Sequence, residues 1–105
     1  MTQRYPERTA RPLLAATATL ANVAGSASSV TLLAENVSRL GAVIMNDSTV
    51  TLYVKFGSTA SSTSFTYLVA AGGTLELPTN AIYVGIITGI WTSATGNARI
   101  TELTA

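Results

Sequence analysis

At 105 residues the chain is long enough to bury one core and too short for two. Charged residues make up 10% of it, against roughly 25% in an ordinary globular domain, while 48% are hydrophobic and the net charge is +1, so the exterior has to be built from Ser, Thr, Asn, Gly and Ala. Cysteine and histidine are both absent, which removes a disulfide framework, a thiolate site, the commonest metal ligand and the usual proton shuttle.

The first dozen residues, MTQRYPERTARP, stand apart. Arg4, Arg8 and Arg11 are opposed there only by Glu7, a net +2, whereas the remainder sets Arg39, Lys55 and Arg99 against Glu35, Asp47, Glu76 and Glu102, a net −1. Pro6 and Pro12 hold their neighbours extended, so the reading is an N-terminal arm over residues 1–15 followed by a single domain over 16–105. In that reading Arg4, Tyr5, Arg8 and Arg11 are the residues that would anchor the arm on a partner; a terminus without fixed structure is the alternative. The segment lacks the apolar run of a signal peptide, and no later stretch reaches the roughly 18 apolar residues of a membrane helix. A protein made in the cytoplasm and independent of membranes is expected.

The Ala-rich run 13–24 contains the β-branched Thr17, Thr19 and Val23 and stops at Gly25, which favours a strand over residues 17–23. Beyond it, short β-branched or aromatic runs alternate with Gly, Ser, Asn, Asp or Pro clusters, and strands are expected at 29–34, 40–46, 49–56, 64–69, 74–77, 82–87 and 98–103. In TVTLYVKF, Val50, Leu52, Val54 and Phe56 share one face and point to the core, with Thr49, Thr51, Tyr53 and Lys55 opposite. Asn46-Asp47-Ser48 reads as the turn of a hairpin joining the strands on either side. GSTASSTS, residues 57–64, reads as an exposed loop opened by Gly57 at positive φ, either a contact surface or a mobile connector. Ala71-Gly72-Gly73 is a turn, and TLELP turns Leu75 and Leu77 one way and Glu76 the other until Pro78 ends the strand. The sum is an all-β fold: one antiparallel β-sandwich of about seven or eight strands, jelly-roll or Greek-key-like.

The segment AIYVGIITGIW is too uniformly apolar for one wet face. It is either a strand buried on both sides or one covered by another subunit, and Tyr83, Ile87, Ile90 and Trp91 are the candidate oligomer contacts, with Trp91 as a plug for the end of the sandwich as the competing reading. The glycines of 72–73 and 85–89 lack phosphate-loop spacing and read as turn residues. No triad is possible without a base, and the acids fall on separate predicted elements, so no catalytic residue, metal site or cofactor is expected. Tyr53 and Lys55 alternate on one face, but one lysine makes a poor track for nucleic acid, which is not an expected partner.

Arg39-Leu40-Gly41, Asn46-Asp47-Ser48, Leu52-Tyr53-Val54-Lys55, Gly72-Gly73, Glu76-Leu77-Pro78, Gly89-Ile90-Trp91 and Ala98-Arg99-Ile100-Thr101-Glu102 together form a pattern. It resembles small structural proteins of tailed bacteriophages and prophages, over roughly residues 29–104. The resemblance implies a virion component of the head-decoration or head-fibre-base type. Other virion proteins, the major capsid protein first, would be its partners, and a homo-oligomer such as a trimer would suit a capsid lattice. A collar or tail protein is the nearest alternative. A carbohydrate- or receptor-binding sandwich is another, using exposed aromatics among Tyr53, Tyr67, Tyr83 and Trp91.

Overall fold

The computed structural model describes residues 14–105. Arg4, Tyr5, Arg8 and Arg11 therefore lie outside the described residues. Eight strands follow one another: β1 (Thr17–Ala24), β2 (Val30–Leu33), β3 (Gly41–Asp47), β4 (Leu52–Phe56), β5 (Tyr67–Val69), β6 (Thr74–Glu76), β7 (Ile87–Trp91) and β8 (Asn97–Thr104). They form two four-stranded antiparallel sheets, ordered β1-β8-β3-β6 and β2-β7-β4-β5. β1 pairs with β8, β2 with β7, β3 with β6 and β4 with β5, so the pairing is nested. That is how a chain runs when one long hairpin is rolled into two facing sheets, the jelly-roll arrangement of a β-sandwich.

Period-two alternation decides which residues face inward. In β3, Ala42, Ile44 and Asn46 are buried; in β4, Leu52 and Val54; in β8, Ala98 and Ile100. Val50 and Phe56 pack against this core as their places in TVTLYVKF imply. Leu75 and Leu77 are buried while Glu76 between them is exposed. β2 departs from alternation, because a register shift between Thr31 and Leu33 lets Leu32 and Leu33 both point inward. β7 carries Gly89 at its centre, where a Cβ would stand 2.8 Å from Leu32 Cδ1 and 3.1 Å from Leu52 Cδ1. This glycine serves close packing inside a strand and not a turn.

Three expectations are corrected. First, Asn46-Asp47-Ser48 does not close a hairpin: β3 and β4 belong to different sheets, and the chain crosses the sandwich between them. Asn46 and Asp47 are still strand, and Asn46 points into the core. Second, the strand expected at 82–87 lies later, at Ile87–Trp91. The carbonyls of Tyr83 and Gly85 accept hydrogen bonds from Arg39 Nη1, at 2.8 and 3.0 Å, and the Val84 carbonyl accepts one from the Asn36 N–H, so they are unavailable to a ladder. Third, the loop 57–64 is exposed over most of its length as expected, but it is tied back to the domain through Gly57 and the buried Ala60. Gly57 does take positive φ, but its N–H donates to Ile86 O and its carbonyl accepts from Thr88 Oγ1 at 2.7 Å. The Ala60 N–H then donates to Ser29 Oγ at 2.9 Å, and Ala60 and Thr88 are both buried beneath the fold-back.

Candidate interaction surfaces

The two ends of the sandwich are closed by different devices, and both use residues of the sequence pattern. At one end, Asn46 is fully buried. Its Nδ2 donates toward the carbonyls of Val50, Val69 and Ala70 at 2.8, 3.0 and 3.2 Å, while its Oδ1 accepts from Ser48 Oγ and from Trp91 Nε1. One side chain thus ties β3 to the start of β4, the end of β5 and the end of β7. At the other end, Arg39 has a side chain with no exposure at all. Its Nε donates to Glu102 Oε2 at 2.8 Å and its Nη2 to Ala34 O at 2.6 Å, in addition to the two bonds to the 83–85 segment. A buried guanidinium that donates four hydrogen bonds, with all three of its nitrogens engaged and one carboxylate partner, is a structural ion. Beside it, Tyr83 stacks on Phe56 with ring centroids 4.7 Å apart, and Phe56 also meets Tyr67.

These plugs change the standing of the sequence candidates. Ile87 is fully buried and Trp91 is 2% exposed, so neither can reach a second subunit. Trp91 is the end plug, and Ile87 belongs to the core because it lies opposite Phe56 on the inner face. Tyr83 is half-buried in the aromatic stack. Ile90 alone of the four points outward, between its buried neighbours in β7.

Around Ile90 lies the first open surface. Tyr53 of β4 stands opposite both Ile90 of β7 and Leu68 of β5, and residues directly opposite share a face. Phe65 packs on Tyr53 at 4.8 Å. Phe65 and Leu68 are among the most exposed large apolar residues of the molecule. Lys55, the one charged residue of these strands, turns its ammonium to Ser64 Oγ and Thr59 O at the margin. The outer face of the β2-β7-β4-β5 sheet is therefore an apolar strip of Ile90, Tyr53, Leu68 and Phe65. Sequence reasoning found Ile90 and Tyr53 but not the others; Leu68 was legible, since it falls opposite Tyr67 and Val69 in the alternation of its strand.

The outer face of the other sheet is more polar but carries a net charge of only −1, from Asp47, Arg99 and Glu76. Its rows run Leu20, Thr101, Val43, Glu76 and Asn22, Arg99, Met45, Thr74. Arg99 is paired with Asp47 at 2.9 Å, both about half exposed, so the face carries little net field. Between the short edge strands β5 and β6 runs a groove of about 330 Å³ lined by Tyr67, Leu68, Val69, Ala70, Gly73, Thr74, Leu75 and Glu76. Glu76 is its one carboxylate, and the lining holds no Lys or Arg beside it.

The four described acids are dispersed. Glu102 is bound to Arg39 and Asp47 to Arg99, and among the described residues no group of three His, Cys, Asp or Glu converges. Among the same residues no helix is long and apolar enough to cross a membrane. Comparison of the chain with protein-family models, with curated proteins and with solved structures gives no match.

Proposed function

We propose that this protein is a non-enzymatic structural component of a tailed-phage particle, a capsid decoration or minor head protein. It binds the particle through the outer faces of its sandwich and through its N-terminal arm. The observation that carries this reading is the pairing of a well-packed interior with two outer faces that hold few ionised groups, Lys55 on one and Asp47, Arg99 and Glu76 on the other. Both core plugs are tied to several distant strands and loops by hydrogen bonds, and the exposed Leu20, Phe65 and Leu68 offer surface that gains free energy when covered. Hiding a hydroxyl that finds a partner costs far less than hiding an ion, so Thr-rich faces suit subunit contacts. A collar or tail position fits the same chemistry.

Copurification tests it. The full chain is expected in purified particles, and deletion of residues 1–12 is expected to lower its occupancy there while the thermal unfolding of the domain is unchanged. Absence of the chain from particles overturns the reading; unchanged occupancy of the truncated chain removes the arm from it.

The Tyr53–Phe65 pair, with ring centroids 4.8 Å apart on an exposed face, favours a carbohydrate- or receptor-binding module as the second reading. The buried Trp91 has no part in such a site. Glycan-array binding that disappears in Tyr53→Ala would establish it in place of the first.

A further inference from the structure

We infer that β1 is a self-pairing edge, through which two copies of the chain join antiparallel into one continuous eight-stranded sheet. Among the described residues each sheet has two unpaired edges, and an edge strand left long, regular and uncharged recruits another strand. Three of the four edges here are blunted. β5 and β6 have three residues each, with Pro78 following β6 and the carboxylate of Glu76 within it, and β2 has four residues and a register shift. β1 has none of these protections. It runs eight residues in unbroken register with β8, from Thr17↔Thr104 to Ala24↔Asn97. Seven of its eight residues are exposed, and only Val23 packs against the core. Its inward face, Thr17, Thr19 and Ala21, lies beyond the cover of the second sheet.

The occupant follows from charge and length. Between Arg11 and Glu35 the chain has no ionised side chain, so an approaching strand finds nothing to recognise by charge, while a second β1 meets no like-charge repulsion. A partner of equal length and equal hydroxyl and methyl composition is another copy. The symmetry is a two-fold axis perpendicular to the sheet, which keeps inner faces with inner faces. Centred on Leu20, it sets Leu20 against Leu20 of the second copy, the largest exposed side chain of β1 against itself, and Ala18 against Asn22. The contact is isologous and closes at two copies, unlike the trimer that would suit a capsid lattice. It gives main-chain hydrogen bonds along the whole strand, as in β-strand addition generally.

This inference rests on the reading of the protein as a subunit that packs by its surface, and the experiment separates the two. Sedimentation of the full chain over a wide concentration range is expected to show a species of twice the chain mass. Leu20→Lys, which sets two ammonium groups face to face, is expected to weaken the association by about tenfold or more, whereas Leu68→Lys on the opposite sheet leaves it unchanged. Because the chain has no cysteine, Leu20→Cys provides a separate measure that does not depend on loss of function: mild oxidation is expected to cross-link it into dimers, and Leu68→Cys not. A wild type that stays monomeric, or a dimer indifferent to Leu20→Lys and uncrosslinked by Leu20→Cys, overturns the pairing. A monomer that still copurifies with particles sinks the pairing alone, and a dimer absent from particles sinks the proposed function alone.

Discussion

β1 and β3 are strands of the same sheet, nearly equal in length, and both pair with β8 over their full runs. β3 buries alternate residues, while β1 buries none. Their sequences, GAVIMND and TATLANVA, both mix aliphatic with polar residues, and neither composition announces which strand is covered. What separates them is the layer opposite. Every inward residue of β3 meets the second sheet or its end plugs, whereas β1 lies at the rim, where only Val23 finds the core. A pair of hydrogen-bonding ladders makes a sheet; a second sheet over it makes a core.

Substitutions should therefore divide sharply between the two strands and the plugs behind them. The largest effect is expected from Arg39→Ala, which strands the Glu102 carboxylate and leaves the carbonyls of Ala34, Tyr83 and Gly85 without donors; removing one partner of a buried pair costs about 3–5 kcal/mol. Loss of cooperative unfolding at ordinary temperature, seen by circular dichroism, would be its signature. Asn46→Ala comes next, at roughly 2–3 kcal/mol, because the Trp91 indole N–H and the carbonyls of Val69 and Ala70 lose their partner in a buried site. Denaturant titration followed by the fluorescence of Trp91 reports it directly, and an effect as small as that of a surface change would show that water replaces the amide.

Smaller effects mark the outer face. Asp47→Ala breaks the half-exposed pair with Arg99 and is expected to cost at most about 1 kcal/mol, less in high salt. Smallest of all, Leu20→Ser should shift monomer stability by no more than about 0.5 kcal/mol, whereas Ile44→Ser, on the inward face of β3, is expected to unfold the domain. A Leu20→Ser variant measured below the association range that loses more than 1 kcal/mol, a limit set at about twice the surface expectation, would mean that β1 has cover not visible in the monomer.

Several of these assignments could be read from the chain. TVTLYVKF alternates without exception, so Leu52 and Val54 had to share the core face; Leu75 and Leu77 around Glu76 carry the same signal over five residues. The polar run 57–64 marked a loop. Its fold-back was not legible, because the bonds from Gly57 and Ala60 reach Ile86, Thr88 and Ser29, residues far away along the chain. Trp91 and Ile90 show the limit most clearly. They are adjacent and both apolar, and one is a sealed plug while the other is partly exposed on the outer face. Arg39 was invisible as an interior residue, since an arginine before a strand is ordinarily solvated.

By itself the sequence determined the class of the fold, the approximate strands and the poverty of charge, because side-chain period, β-branching and composition are local properties. Tertiary structure alone decided which sheet each strand joined, which of two apolar faces was covered, and that Asn46, Arg39 and Glu102 would be interior ties. Those outcomes depend on which distant carbonyl or ring comes to lie opposite a residue after the chain is rolled up, and no neighbour in sequence carries that information.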